Sequence, residues 1–170
     1  GLYILDKNQE DISKRYPDVI NHSIKNITVI VCDHFNNIWV SDNACLYQFN
    51  AFGKFIRKID YQTVFNDKKQ SRLITDIVID EVADGVWFDL SGEGLAFYDL
   101  RNRKCIKYEK GGVMPLSDNR ISNILLDKNN NLWVALAHTL EYKPRNDKYF
   151  ISSPTVKWGN KQISNENNSL

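Results

Sequence analysis

The side chains of this sequence that are best suited to chemistry are its histidines, its cysteines and a recurring set of aspartates. The histidines and cysteines are His22, His34, His138, Cys32, Cys45 and Cys105. No CxxC pair occurs, and no histidine has a second ligand at helical or hairpin spacing. Structural zinc sites use closely spaced pairs of such ligands, and disulfide frameworks use an even number of cysteines. The sequence therefore predicts no metal site, no cofactor and no disulfide framework.

The recurring aspartates, Asp33, Asp80 and Asp127, each follow an apolar stretch. A catalytic carboxylate is needed once in a site, whereas copies at equal spacing indicate a structural role. Each is expected to cap the turn that follows it, because Asp side chains accept hydrogen bonds from nearby backbone N–H groups. The sequence contains no nucleophile elbow, P-loop, dinucleotide fingerprint or HExxH motif. We therefore predict that this segment is not an enzyme.

These aspartates belong to an internal repeat with a period of 47 residues. The pattern Ile-x-x-Ile-x-x-Asp ends at each of them, and an Asn- or Gly-containing turn and a Trp follow. The tryptophans are Trp39, Trp87 and Trp133. A Leu near an aromatic residue comes seven or eight residues after each Trp. Self-similarity at a fixed period is the sequence signature of a repeat architecture.

Each repeat is predicted to form four short strands. The first strand is apolar almost throughout, so we expect it to be covered on both faces. The second carries the Trp, the third begins at the Leu, and the fourth follows another turn. The predicted ranges are 27–33, 38–42, 46–50 and 55–61 in the first repeat, 74–80, 86–90, 95–99 and 105–108 in the second, and 121–127, 132–136, 140–143 and 149–152 in the third.

Four antiparallel strands in a unit of about 45 residues are typical of a β-propeller blade. We predict an all-β chain of about three and a half blades of a larger or incomplete propeller. The predicted half blade is 1–20, the blades are about 21–66, 67–112 and 113–152, and 153–170 is a polar tail or the start of the next blade. A closed propeller needs about four to eight blades, so the remaining blades are expected in the same polypeptide. A β-sandwich is the alternative fold, but it would not repeat the same residues in the same order.

The polar loops of a propeller are where ligands are expected, since loops vary while blades stay fixed. The loop between the second and third strands and the loop before the first strand share one rim. Candidate ligand-binding residues on this rim are Asp42, Asn43, Ser91, Glu93, Arg120 and His138, with Arg72, Asp118 and Asn119 beside them. Their hydrogen-bonding groups suit a neutral polar ligand such as a glycan. Glu93 and His138 are the one acid–base pair on the rim, and no third group orients them.

The repeat resembles the two-component regulator propeller repeat. That family's blade has an Ile-rich strand ending in Asp, an Asn/Gly turn, an apolar-Trp-apolar strand and then Gly-Leu with an aromatic residue. Residues 116–134, LSDNRISNILLDKNNNLWV, match this pattern closely, as do residues 84–99. The Gly before the Leu is present at Gly1 and Gly94 and is replaced by Cys45 and Thr139 in the other repeats.

The resemblance implies a ligand-sensing module of a membrane two-component, often hybrid, sensor histidine kinase. In that family the propeller lies on the periplasmic, extracytoplasmic side of a bacterial inner membrane, and many members sense oligosaccharides. The implied partners are a small carbohydrate and a second copy of the parent receptor in a homodimer. Two other functions stay open, a non-catalytic protein-interaction scaffold and a propeller lyase or glycoside hydrolase.

Charge and hydropathy exclude two further classes of partner. The formal net charge is +1, and the densest basic cluster, Arg101, Arg103 and Lys104, is interpreted as a solvated turn. Nucleic-acid binding usually needs a clearly basic face, so no nucleic acid is expected. No run of about 18 apolar residues occurs, and we predict no membrane span in this segment.

Overall fold

Three four-stranded antiparallel sheets follow one another along the chain, each with its strands in chain order. The computed structural model describes residues 4–5, 7–22, 24–65 and 73–152, and the backbone of 155–158 and 161–164. Blade 1 contains β1 (Val29–Cys32), β2 (Ile38–Ser41), β3 (Cys45–Phe49) and β4 (Phe55–Asp60). Blade 2 contains β5 (Ile74–Asp80), β6 (Gly85–Leu90), β7 (Gly94–Asp99) and β8 (Lys104–Tyr108). Blade 3 contains β9 (Ile121–Leu126), β10 (Leu132–Leu136), β11 (Leu140–Lys143) and β12 (Ile151–Ser152). The predicted all-β propeller architecture is confirmed.

Short elements flank the blades. A 3-10 helix (Ser13–Arg15) and all but the last residue of helix α1 (Pro17–Asn21) lie in the segment predicted as a half blade, 1–20, where the described residues also make one β-bridge, Leu5 to Asp11. Strands β13 (Thr155–Trp158) and β14 (Lys161–Ser164) form a hairpin in 153–170. The blade boundaries themselves stay a prediction. No helix in the described part of the chain has the length and hydropathy of a membrane span.

The fourth strand of blade 1 was predicted to run to Tyr61, and this was wrong by one residue. The strand ends at Asp60, whose carboxylate accepts a 2.9 Å hydrogen bond from the backbone N–H of Gln62. This bond caps helix α2 (Tyr61–Phe65), which the sequence pattern did not predict. A carboxylate at this position is a common start of a helix because it satisfies an N–H group that has no partner inside the helix.

Each recurring aspartate holds both its turn and the Trp of the next strand. The Oδ1 atom of Asp33 accepts bonds from the backbone N–H groups of Phe35 and Asn37, as the sequence predicts, and Oδ2 binds the indole N–H. The bond from Trp133, with those from Asn131 and Asn129, lowers the pKa of Asp127 to about 2. The Oδ2–Nε1 distances are 3.0 Å for Asp33–Trp39, 3.2 Å for Asp80–Trp87 and 3.0 Å for Asp127–Trp133.

The cores lie between the blades. Trp39 and Leu46 of blade 1 pack against Phe88 and Ala96 of blade 2, and α2 closes the outer end of this core. In the same way, one face of blade 2 packs against blade 3, and the N-terminal segment covers the other face of blade 1. Each blade therefore buries its second and third strands most completely.

The expectation that every first strand is covered on both faces was wrong for the two outer blades. Ile30 of β1 is 50% exposed and Leu125 of β9 is 58% exposed. Leu125 pairs with Trp133 and so lies on the face of blade 3 that no described sheet covers. Ile30 pairs with Val40 on the opposite side of the array, where the N-terminal segment covers Val40 but leaves Ile30 exposed.

Candidate functional site

The rim loops lie where the sequence predicts them, at one end of each blade. Asp42 and Asn43 connect β2 to β3, and Ser91 and Glu93 connect β6 to β7. His138 connects β10 to β11, and Arg120 directly precedes β9. Arg72 lies outside the described residues. The placement follows from the strand pattern, whereas the ligand-binding role of these residues stays a prediction.

The structure brings three of the polar rim residues together on blade 3. Two guanidinium nitrogens of Arg120 bind the two carboxylate oxygens of Asp118, at 3.2 and 3.0 Å. Nη2 of Arg120 also lies 3.4 Å from Nε2 of His138. The hydrogen bonds from the Arg120 side chain and backbone hold the pKa of Asp118 well below its usual range. We name Asp118, Arg120 and His138 the rim cluster.

Hydrogen bonds fix the two loops that carry the rim cluster. The backbone N–H of Gly94 in blade 2 donates to the carbonyl of Asn119 at 3.2 Å, and the Asn119 side chain accepts a 2.6 Å bond from the N–H of Lys110. The N–H of Ala137 donates to the carbonyl of Arg120 at 3.0 Å. The cluster is thus anchored on both sides, which favours binding because less conformational freedom is lost.

The rim residues of blade 1 have a different role. Oδ1 of Asp42 accepts bonds from the N–H groups of Ala44 (2.8 Å) and Cys45 (2.7 Å), so this buried carboxylate shapes its own turn. Among the residues that the structure describes, no hydrogen bond joins Asp42 or Asn43 to the rim cluster. A ligand bound to the rim cluster would therefore have to be long enough to extend to blade 1.

The other two histidines lie outside the rim cluster. His22 is half-buried, because its ring stacks on Phe55 with centroids 4.2 Å apart. His34 is exposed, and its ring contacts the carboxylate of Glu81 in the next blade. No group of three or more His, Cys, Asp or Glu side chains in the described part of the chain is arranged to hold a metal ion.

A pair of carboxyl groups between blades 2 and 3 was missed by the sequence reasoning. Asp76 of β5 and Asp89 of β6 are direct cross-strand partners. The Asp76 carboxylate accepts a 3.0 Å bond from the backbone N–H of Ile124 in blade 3. Asp89 is 2% exposed, binds the hydroxyl of Thr75, and leaves Oδ1 without a hydrogen-bond partner among the described residues. The sequence did carry a signal for this pair, since each Asp is a polar residue inside an otherwise apolar strand.

Burial, together with the charge of Asp76, raises the pKa of Asp89, while the Thr75 bond opposes the rise. The folded protein then binds this proton more tightly than the unfolded chain, whose Asp has a pKa of about 3.9. The contribution of Asp89 to stability therefore falls as pH rises from about 4 through the folded-state pKa. We expect Asp89→Asn to match the wild type near pH 4 and to be more stable at pH 7, in urea unfolding measured at both pH values.

Asp99→Asn is the matched control with the opposite sign. Hydrogen bonds from Asn102 lower the pKa of Asp99, which caps an exposed turn. Its stabilising effect is present above about pH 4 and is lost as pH falls. The variant is expected to be less stable than the wild type at pH 7, with a gap that closes on acidification. If the difference in unfolding free energy between the wild type and Asp89→Asn stays constant from pH 4 to pH 7, the proposed protonation of Asp89 is contradicted.

The sheets and their stacking define a β-propeller array, and comparison with known proteins agrees. The extracellular domain of a B. thetaiotaomicron protein described as a hybrid two-component system, BT3049, aligns with a TM-score of 0.58 at 16% identity, over 92% of this chain and 20% of its own. The corresponding domain of BT4673 from B. thetaiotaomicron aligns with a TM-score of 0.55 at 16% identity, over 78% of this chain and 18% of its own. PorZ, a surface component of the type-IX secretion system of Porphyromonas gingivalis, aligns with a TM-score of 0.52 at 18% identity, over 84% of this chain and 19% of its own.

The chain thus spans about a fifth of the length of these three structures, and similarity at this identity shows the fold. None of the curated proteins compared with the chain matches it. The family model of the two-component regulator propeller matches residues 115–138. The chain therefore carries a two-component regulator propeller repeat, as the sequence predicts, and the matched stretch includes residues 116–134.

Proposed function

We propose that this chain is the extracytoplasmic, ligand-sensing propeller module of a membrane two-component, hybrid-type sensor histidine kinase. One observation carries the proposal: all three residues of the rim cluster lie inside residues 115–138, the stretch that matches the two-component regulator propeller. The structures described as extracellular domains of hybrid two-component systems support an extracytoplasmic, periplasmic location. The remaining blades come from the same polypeptide, and the parent receptor acts as a homodimer.

The chemistry of the rim cluster suits a neutral, hydroxyl-rich ligand. Arg120 and His138 are exposed, and Asp118 neutralises the guanidinium. A sugar brings donors and acceptors but no charge, so it pairs with such groups without having to displace the ion pair. Exposed Ser91 on the neighbouring blade extends this surface. We therefore propose a small carbohydrate as the ligand.

Substitution of the rim cluster tests this proposal. Arg120→Ala and His138→Ala are each expected to weaken oligosaccharide binding about tenfold, because each removes hydrogen-bonding groups from the surface. Lys128→Gln, a surface charge change outside the rim, is the control and should leave affinity unchanged. The measurement is calorimetric titration of the full chain with malto-, cello-, xylo- and arabino-oligosaccharides. The proposed site is contradicted if no sugar of the panel binds, or if both rim variants keep the wild-type affinity.

A protein-interaction scaffold is the second candidate. The turns between the first and second strands of blades 1 and 2 expose Phe35 (64%) and Val82 (49%) at the opposite end of the blades from the rim cluster. Exposed apolar side chains in neighbouring loops are a common feature of protein-binding surfaces. Phe35→Ser should abolish capture of a partner if this candidate holds, while leaving oligosaccharide binding unaffected.

A further inference from the structure

A groove with a positive lining runs along the outer edge of the array, between blades 1 and 2 and away from the rim cluster. It consists of two cavities of about 610 and 490 Å³, which share Thr63, Val64 and Arg103. Helix α2 supplies Thr63 and Val64 to its wall. Cavities of this size accommodate small ligands. We name it the perimeter groove.

Five Lys and Arg residues line the perimeter groove, and three of them, Arg57, Arg103 and Lys107, come from separate elements. Arg57 of β4 pairs with Gln48, which itself pairs with Trp39, so Arg57 lies on the face of blade 1 that meets blade 2. Lys107 of β8 pairs with Ala96, on the face of blade 2 that meets blade 1. Arg103 lies in the turn between β7 and β8. The two blades thus bring these cations together from opposite walls.

Among the described residues, three of these cations have no ion-pair partner; Arg57 also borders a neighbouring cavity lined by Asp33, Asp80, Glu81 and Asp84. Arg57, Arg103 and Lys107 form no ion pair with any described residue, whereas Arg101 and Arg120 pair with aspartates. Asp60 is the one acidic residue of the lining among those described. Its Oδ1 accepts bonds from the N–H groups at the start of α2, so this carboxylate is committed to the helix.

The side chain of Tyr98 also lines the groove. Burial raises the pKa of Tyr98, and the positive charges of Arg103 and Arg57 oppose the rise. The phenol therefore stays protonated at neutral pH and can donate a hydrogen bond beside two guanidinium groups. Nζ of Lys107 lies 5.8 Å from the centroid of the Phe65 ring of α2, which places a further point charge along the groove.

We propose that the perimeter groove binds a small ligand that carries two or more oxyanion groups, carboxylate or phosphate. The planar guanidinium fork matches both groups in a bidentate manner. Arg57, Arg103 and the Tyr98 hydroxyl receive one oxyanion, and Lys107 receives the other. This site lies on a different surface from the rim cluster and does not depend on the sensor function.

Calorimetric titration of the full chain with inorganic pyrophosphate, and separately with citrate, tests the site. Ionic strength is held constant with sodium chloride, because screening alone weakens surface electrostatics. Arg57→Gln and Arg103→Gln are each expected to weaken binding of the preferred anion about tenfold, as a charged hydrogen bond is lost. Lys107→Gln should weaken it less, and Lys128→Gln should have no effect.

The two anions distinguish the chemistry of the ligand. Binding of pyrophosphate alone assigns a phosphate ligand, and binding of citrate alone assigns a carboxylate ligand; either supports the site when Arg57→Gln and Arg103→Gln weaken it. Absence of binding by both anions overturns the proposal. The proposal is also overturned if both arginine variants bind the anion with the wild-type affinity. Circular dichroism of each variant confirms that the fold is retained.

Discussion

Replacing Trp87 by alanine lowers the free energy of unfolding by about 3–5 kcal/mol, whereas replacing Trp133 by alanine costs less than half as much. Trp87 is 4% exposed and packs in the core between blades 2 and 3, where its ring contacts Phe97 and Tyr108 with centroids 4.6 and 5.5 Å away. Trp133 is half-buried and stacks on Tyr142 at 4.9 Å. Both indoles keep an aspartate partner, so the expected difference reports how far each ring is covered.

Urea unfolding of the full chain measures both losses, and Trp39→Ala supplies a second reference. Trp39 is buried between blades 1 and 2 and is expected to behave like Trp87. Equal losses at Trp87 and Trp133 would contradict the packing described here. They would mean that the Trp133 face of blade 3 is as completely covered as the two internal faces.

Replacing Gly94 by alanine is expected to destabilise the fold by about 3 kcal/mol or more, far beyond the cost of Gly92→Ala. Gly94 has φ +93°, and a Cβ atom there would lie 2.3 Å from the backbone oxygen of Tyr108. Gly92 also has positive φ, +75°, but no atom lies within 4 Å of the added Cβ. The Gly92 variant should therefore cost only about 1 kcal/mol, from backbone conformation alone.

The glycine pair separates backbone strain from steric overlap. Unfolding free energies of the two variants, measured by urea titration, should differ by about 2 kcal/mol or more. Similar small losses at both positions would contradict the close approach of β7 to Tyr108. The same reasoning explains why Cys45 and Thr139 replace this glycine in the other blades: among described non-glycine residues, neither has positive φ.

The strand order of the fold could be predicted because it depends on patterns that are local in sequence. The Ile-rich strand, the Asp-capped turn and the Trp strand each carry their own signal, and three copies reinforce it. Helix α2 could not be predicted, since its five residues have no helical periodicity and follow directly from β4. The cap at Asp60 and packing against Phe88 stabilise it instead.

The sites were harder to predict than the fold because they depend on contacts between residues that are far apart in sequence. The loop positions of Arg120 and His138 follow from the repeat, but their proximity depends on how two loops of blade 3 meet. Asp89 was hidden inside a strand that otherwise looks like core. Arg57 and Lys107 are 50 residues apart in sequence, and only the stacking of blades 1 and 2 places both in one groove.

The central proposal, a propeller module of a membrane sensor, is tested most directly by an immunoblot of the native cell. An antibody raised against this chain is applied to the membrane and soluble fractions. The proposal predicts a band in the membrane fraction with several times the 19.8 kDa mass of this chain. A soluble band near 19.8 kDa would contradict it.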